Sequence, residues 1–542
     1  MTHNLELLDY VILFIYLGGT LLLGLWLGRS IKTGEDYFLA GRKLPWWAIG
    51  MSLVATDIGG TDIIGVGGAA YTFGMAVANF EWIGCVPAMI IASFIFIPFF
   101  YRTGIYTIPE FMERRYNPAV RVALAFCWLV FMACNLGIML FASALMMSQM
   151  FGWDQTSCII VTALLVGVYT FAGGLAAVVY TDMVQCAVMI GGCLLVLFLG
   201  LYEVGGIANL QTRIRHAQAS TANSEDQNAS DASPEIKARE HTALILPVDT
   251  DSPFPWTGIF FGLALILSPA YWIGNQAIVQ RSLGAKSDFE AKAAYIWGAV
   301  LKNIIPIIVA VPGVIAFALY PNLESGDSAF PKLVSELLPV GIRGLFLSAF
   351  IAALMSSIDS YLNSAATIFT NDVYKRFVNQ LASNERIMWV GRYVTIVLTV
   401  WAVVFAFLVR LLDQGVYTIF QTLMAFFQGP ALAILMTGIL WRRGTGVGAF
   451  WGFVSGVLFS ILLYALNQPA VYQSLGLNPL FQIQEPFLYF SVWAFLVALT
   501  VHAFISICTK PEPDEKLDGL TYWQQSKTWQ QSKTHLAETR SA

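Results

Sequence analysis

The sequence predicts an all-α integral membrane protein with about thirteen transmembrane helices. Two observations carry that prediction: the composition, and the recurrence of long apolar runs. Of 542 residues, 57% are hydrophobic and 12% charged, about half the charged fraction of an ordinary soluble domain. Apolar stretches of roughly 20 residues recur from the N-terminus to beyond residue 500, and each can cross a hydrocarbon core about 30 Å thick. The net charge of −4 is spread through loops and points to no nucleic-acid partner. The partner that composition implies is the lipid bilayer.

Hydropathy places the spans at approximately 8–28, 46–71, 77–101, 120–150, 157–175, 180–203, 256–277, 293–320, 340–370, 388–410, 414–441, 447–466 and 486–508. The first follows an acidic N-terminus and has no small-residue cleavage site before Arg29, so a retained helix is expected rather than a leader. Short-loop Lys and Arg follow the odd-numbered spans: Arg29, Lys32, Arg42 and Lys43 after span one, Arg102, Arg114 and Arg115 after span three. Arg281, Lys286 and Lys292 follow span seven, Lys375, Arg376 and Arg386 span nine, and Arg442 and Arg443 span eleven. The alternate loops hold almost none. The positive-inside rule therefore predicts an external N-terminus and a cytoplasmic C-terminus in the plasma or inner cell membrane.

The connection 204–253 is polar and reads as a flexible external loop. The tail 509–542 reads as cytoplasmic and carries a tandem WQQSKT at 523–528 and 529–534, a duplication without chemistry of its own. The cysteines Cys85, Cys127, Cys134, Cys158, Cys186, Cys193 and Cys508 lack metal-ligand spacing and read as small core residues. The histidines are scattered and no nucleophile–base constellation is visible, so no enzyme is predicted.

Irregular backbone at membrane depth survives only where it lines a cavity or is buried in protein. Span two reads SLVATDIGGTDIIGVGGAAY, with Gly59 and Gly60 near its centre and Asp57 and Asp62 on either side. Glycines alone serve close helix packing equally well. Two carboxylates within a turn of the pair change the reading, since an unpaired charge at that depth costs at least about 2.5–3.5 kcal/mol. The helix is predicted to unwind there around something polar. Glu81, Asp182, Lys302 and Asp359 are further charges inside spans, and Lys302 is expected to pair with Glu81 or with a ligand. Span nine contains SSIDSYLNS at 356–364, where hydroxyls recur at helical spacing beside Asp359. Hydroxyl oxygens and freed carbonyls are hard donors suited to a small hard cation such as sodium.

These segments together resemble the solute:sodium symporter family, most closely its sodium/glucose and sodium/galactose cotransporter branch. The resemblance runs over about 8–466. Its most specific stretches are DYFLAGRKLPWWAIGMSLVATDIGG (36–60), GIYTIPEFMERRY (104–116), GGLAAVVYTDMVQ (173–185), YWIGNQAIVQRSLGAKS (271–287) and SSIDSYLNSAATIFTNDVYKR (356–376), with GILWRR after span eleven. The resemblance implies an inverted repeat of five plus five helices (LeuT-like), the first helix of each repeat carrying the interruptions. The core would be 46–441, with repeats 46–203 and 256–441. An extra N-terminal helix and cytoplasmic loop (1–45) and two C-terminal helices (442–508) flank it.

Carried over residue by residue, the resemblance implies a sodium site made of the carbonyls of Ala55, Ile58 and Ala353 and the hydroxyls of Ser356 and Ser357. A possible second sodium would use Asp182, Ser356, Asp359 and Ser360. Glu81, Lys302 and Gln421 match sugar contacts, Tyr271 matches an inner-gate tyrosine, and Phe80 and Val66 match outer-lid positions. Asp57, Asp62 and Ser268 complete the substrate set but depart from the resemblance: the sugar branch usually has Asn at the first and often Gln or His at the second, and a bacterial galactose transporter has Asn at the third. Acidic side chains at those places suit a polyol, an amino sugar or a proton. The function implied is sodium-coupled import of a sugar or sugar-like polar solute by alternating access. The alternative is the same coupling for a polyol, amino sugar, amino acid or cation.

Overall fold

The computed structural model describes residues 6–29, 33–222, 241–250, 252–411, 416–476, 478–481 and 486–522. The middle of the predicted external loop, 223–240, and the tandem WQQSKT lie outside the described residues. Backbone amides and carbonyls in hydrocarbon must be satisfied within their own segment, which favours helices. Among the described residues, nine helices are long and apolar enough to cross a membrane, and three further helix pairs are bent at short breaks.

The bent pairs are Trp46–Asp57 with Asp62–Phe73 at 53°, Gly258–Gly274 with Gln276–Leu283 at 49°, and Ile419–Ala425 with Gln428–Leu440 at 41°. They fall on spans two, seven and eleven. Spans five and six run together in the 50-residue helix Gln155–Val204. At 1.5 Å per residue it is about 75 Å long, more than one bilayer core. Its part Gln155–Leu164 is a short apolar helix and Leu175–Val204 a full span. Counting each bent pair as one span gives up to 12 among the described residues, against about thirteen predicted, and the predicted span five holds only that short helix. The fold is the inverted five-plus-five helix repeat.

Span nine, Ile342–Val378, is the central element: 94% of its apolar window is buried in protein, against 19% for span one, Leu7–Gly28. Span one packs on spans six and nine and turns Phe14, Ile15 and Leu22 outward, as a lipid-facing helix does. Spans two and eight approach so closely that a Cβ on Gly313 would lie 2.1 Å from the Gly67 carbonyl oxygen. Only glycine permits that contact. Two π-helical stretches, Phe80–Cys85 in span three and Gly258–Leu267 in span seven, face one another beside the break in span two. Such widened turns are found disproportionately at functional sites.

Candidate functional site

The break in span two forms as its sequence predicts. Ile58 leaves the helix at φ −90°, ψ 78°, and Gly59 is extended at φ −87°, ψ −174°. In an unbroken helix the Gly59 amide would close onto the Ala55 carbonyl. Here it donates to the Asp62 carboxylate at 3.1 Å. The Asp62 amide would close onto the Ile58 carbonyl, but it donates to the Gly59 carbonyl at 3.1 Å. The carbonyls of Ala55 and Ile58 are thereby released from helical bonding.

Span nine crosses at this point. The Ser357 hydroxyl donates to the Thr56 carbonyl at 2.9 Å and is 3.1 Å from the Ala353 carbonyl, and Ser356 and Ser357 are fully buried. Ser357 and the Ala353 carbonyl thus meet span two at Thr56, between the Ala55 and Ile58 carbonyls in sequence. The five oxygens predicted to hold sodium are all hard neutral donors, which fit a small monovalent cation.

On the other flank of the break lies a cleft of about 450 Å³. Asp57, Asp62, Glu81, Ser268, Tyr271 and Gln421 all line it, which is six of the seven predicted substrate residues. Lys302 does not. It is fully buried behind the wall, at the end of the helix Asp288–Lys302, where span eight is interrupted before Ile305. Its ammonium contacts the Asp57 carboxylate and reaches Glu81 Oε2 at 2.7 Å. Asp57, Glu81 and Cys85 present ligand atoms within 4.8 Å of one another, and the positive charge among them is that of Lys302.

Phe80 lines the cleft, whereas Val66 is buried away from it. Tyr271 approaches Tyr361 hydroxyl to hydroxyl at 3.4 Å, and Asn275, at the break in span seven, donates to Tyr361 at 3.2 Å. Sequence reasoning missed Trp272, Phe420, Met424 and Gln428 as lining residues. Gln428 left a signal, a lone amide in an apolar run two residues before Pro430.

The remaining charges are arranged differently from expectation. Arg281 was counted as a loop cation, yet span seven continues as the helix Gln276–Leu283 and buries it. Its Nη2 lies 3.2 Å from Asp182 Oδ2 and also donates to the Ser360 hydroxyl, while Nε donates to Ser52 at 2.7 Å. Ser52 in turn donates to Asp182 at 2.5 Å. Asp182 and Ser360 are thus brought together as the second-sodium expectation requires, but around a guanidinium. Ser360 also donates to the Ser356 carbonyl at 2.5 Å and lies 3.3 Å from Asp359. Arg115 likewise leaves the loop count: it is fully buried and donates to the carbonyls of Gly438, Trp441 and Gly444, closing the end of span eleven.

The profile of the sodium:solute symporter family matches residues 37–456. The chain belongs to this family. It is therefore a multi-pass membrane transporter with sodium as its coupling ion. It is 33% identical to sodium/glucose cotransporter 4 of Mus musculus over 96% of this chain and 78% of that one. Sodium/glucose cotransporter of Vibrio parahaemolyticus is 31% identical, covering 95% and 92%. Sodium/myo-inositol cotransporter 2 of Oryctolagus cuniculus is 32% identical, covering 96% and 80%. Among solved structures, a Na+-coupled sialic acid symporter in an outward-open state has the same fold, with a TM-score of 0.75 at 24% identity over 93% of this chain and 99% of that one.

Proposed function

We propose that this symporter carries a sugar or polyol into the cell together with one sodium ion, the two bound on either side of the break in span two. The observation that carries this reading is the contiguity of the two sites. Ala55 and Ile58 offer carbonyls to sodium, while Asp57 between them and Asp62 beyond offer carboxylates to the solute. Sodium would be held by those carbonyls, the Ala353 carbonyl, Ser356 and Ser357, which ties span two to span nine. That tie fixes the cleft wall in the shape that binds solute. Ring hydroxyls would bond Glu81, Ser268 and Gln421, with Tyr271 beneath, and Lys302 would act through Asp57 and Glu81.

The repeats 46–203 and 256–441 would rock about this site to expose it alternately. The chain would sit in the plasma or inner membrane with its N-terminus outside and its C-terminus cytoplasmic. A second sodium at Asp182, Ser356, Asp359 and Ser360 would have to displace the Arg281 guanidinium, which favours one ion per solute. The test is uptake of D-glucose, D-galactose and myo-inositol into proteoliposomes. Accumulation driven by an inward sodium gradient is expected for at least one of them. Uptake that ignores the sodium gradient for all three would overturn the reading.

A further inference from the structure

The charge of the cleft specifies more than a hydroxylated ring. Three carboxylates, Asp57, Asp62 and Glu81, line it. Among the described residues the ammonium in contact with them is that of Lys302, shared between Asp57 and Glu81. Asp62 receives the Gly59 amide, and among the described residues no basic side chain forms an ion pair with it. If all three are ionised and a sodium ion sits at the adjoining break, three negative charges face two positive ones. A residual charge in a membrane interior is costly, so one positive charge must arrive from elsewhere.

A second, independent observation marks the same cleft as built for a polar ligand. Gln428 is fully buried at the break of span eleven and lines the cleft. Neither its amide nitrogen nor its amide oxygen has a hydrogen-bond partner among the described residues. A buried amide left without partners is costly, and a ligand that supplies both a donor and an acceptor removes that cost.

Building on the sugar or polyol reading above, we propose that the preferred solute is a hydroxylated ring bearing a protonated amine, an amino sugar or aminocyclitol. Its ammonium binds Asp62 and its hydroxyls satisfy Gln428. The amine supplies the third positive charge, so the loaded cleft is neutral and suited to cross the membrane during rocking. A proton on Asp62 also closes the count, but it gives no preference for amines.

The two are separated by calorimetric binding in sodium, at mildly acidic pH, of D-glucosamine, D-galactosamine, their N-acetyl derivatives and the parent hexoses. The amines are expected to bind at least about tenfold tighter than their neutral counterparts, in the range of a charge-assisted hydrogen bond. Asp62→Asn keeps an oxygen for the Gly59 amide and should abolish that preference, whereas Gln428→Ala should weaken amines and neutral sugars alike. Neutral hexoses binding as tightly as amines to the wild type would overturn the proposal and leave sugar symport standing. Binding of no member of the panel, with sodium-dependent binding of an amino acid instead, would overturn both.

Discussion

Two groups of buried charge touch span two, and they do different work. Asp182 meets the Arg281 guanidinium one to one, the guanidinium also donating to Ser52 and Ser360, and neither charge lines the cleft. Asp57, Asp62 and Glu81 outnumber Lys302 and open onto the cleft. A closed, matched pair holds helices together. An open, unmatched cluster is a site awaiting a ligand. Intramembrane charge alone therefore does not mark a binding site; access and imbalance do.

The largest effect is expected from removing the cation of each group. Lys302→Ala strips two carboxylates at once and is expected to abolish solute binding, with a stability loss of about 3–5 kcal/mol. Thermal unfolding and calorimetry on the same preparation separate the two effects. A well-folded Lys302→Ala protein that binds solute normally would remove Lys302 from the site.

Arg281→Met is the matched experiment. It leaves Asp182 without its partner and should cost a comparable or smaller amount of stability, about 3 kcal/mol, with solute affinity unchanged in the protein that folds. Adding Asp182→Leu removes the stranded charge and should restore most of the melting temperature. Loss of solute binding at an unchanged melting temperature would show that this pair is no staple.

The sequence made much of this legible, and unevenly. The break in span two could be foreseen because Gly59, Gly60, Asp57 and Asp62 concentrate helix-breaking and charge in one turn. The pairing of Lys302 with Glu81 followed from its isolation in an apolar run, whereas its second partner, Asp57, lies far off in sequence, in span two. Arg281 was misread because charge just past a hydropathic segment looks like loop, and hydropathy cannot tell that the helix continues through Leu283. The buried Asp182 was the available clue, since it needed a cation. The aromatic wall of Trp272 and Phe420 was not legible, because an aromatic facing a cleft and one facing the core have the same local pattern.

A smaller effect is expected at the proposed sodium ligands. Ser356→Ala together with Ser357→Ala removes two of five oxygens and should raise the sodium needed for half-maximal uptake at least about tenfold, with little loss of fold. An unchanged sodium dependence would move the ion elsewhere.

The smallest lies outside the apolar spans. His241, in the described end of the polar 204–253 connection, stacks on Phe317 with ring centroids 4.2 Å apart, and burial pushes its imidazole down to about 4. A base with a depressed folded value stabilises above its ordinary value of 6.5 and loses that contribution as pH falls from 6.5 toward 4. Limited proteolysis of the loop should accelerate over that window in the wild type and not in His241→Phe.

The central claim is that sodium and solute meet at one break in span two, so each must tighten the other by the same factor. The direct measurement is a calorimetric titration of solute in sodium and in choline, paired with a sodium titration with and without solute. The account predicts equal factors well above one, falling to about one in the Ser356→Ala, Ser357→Ala variant. Solute binding equally tight in choline and in sodium would contradict it.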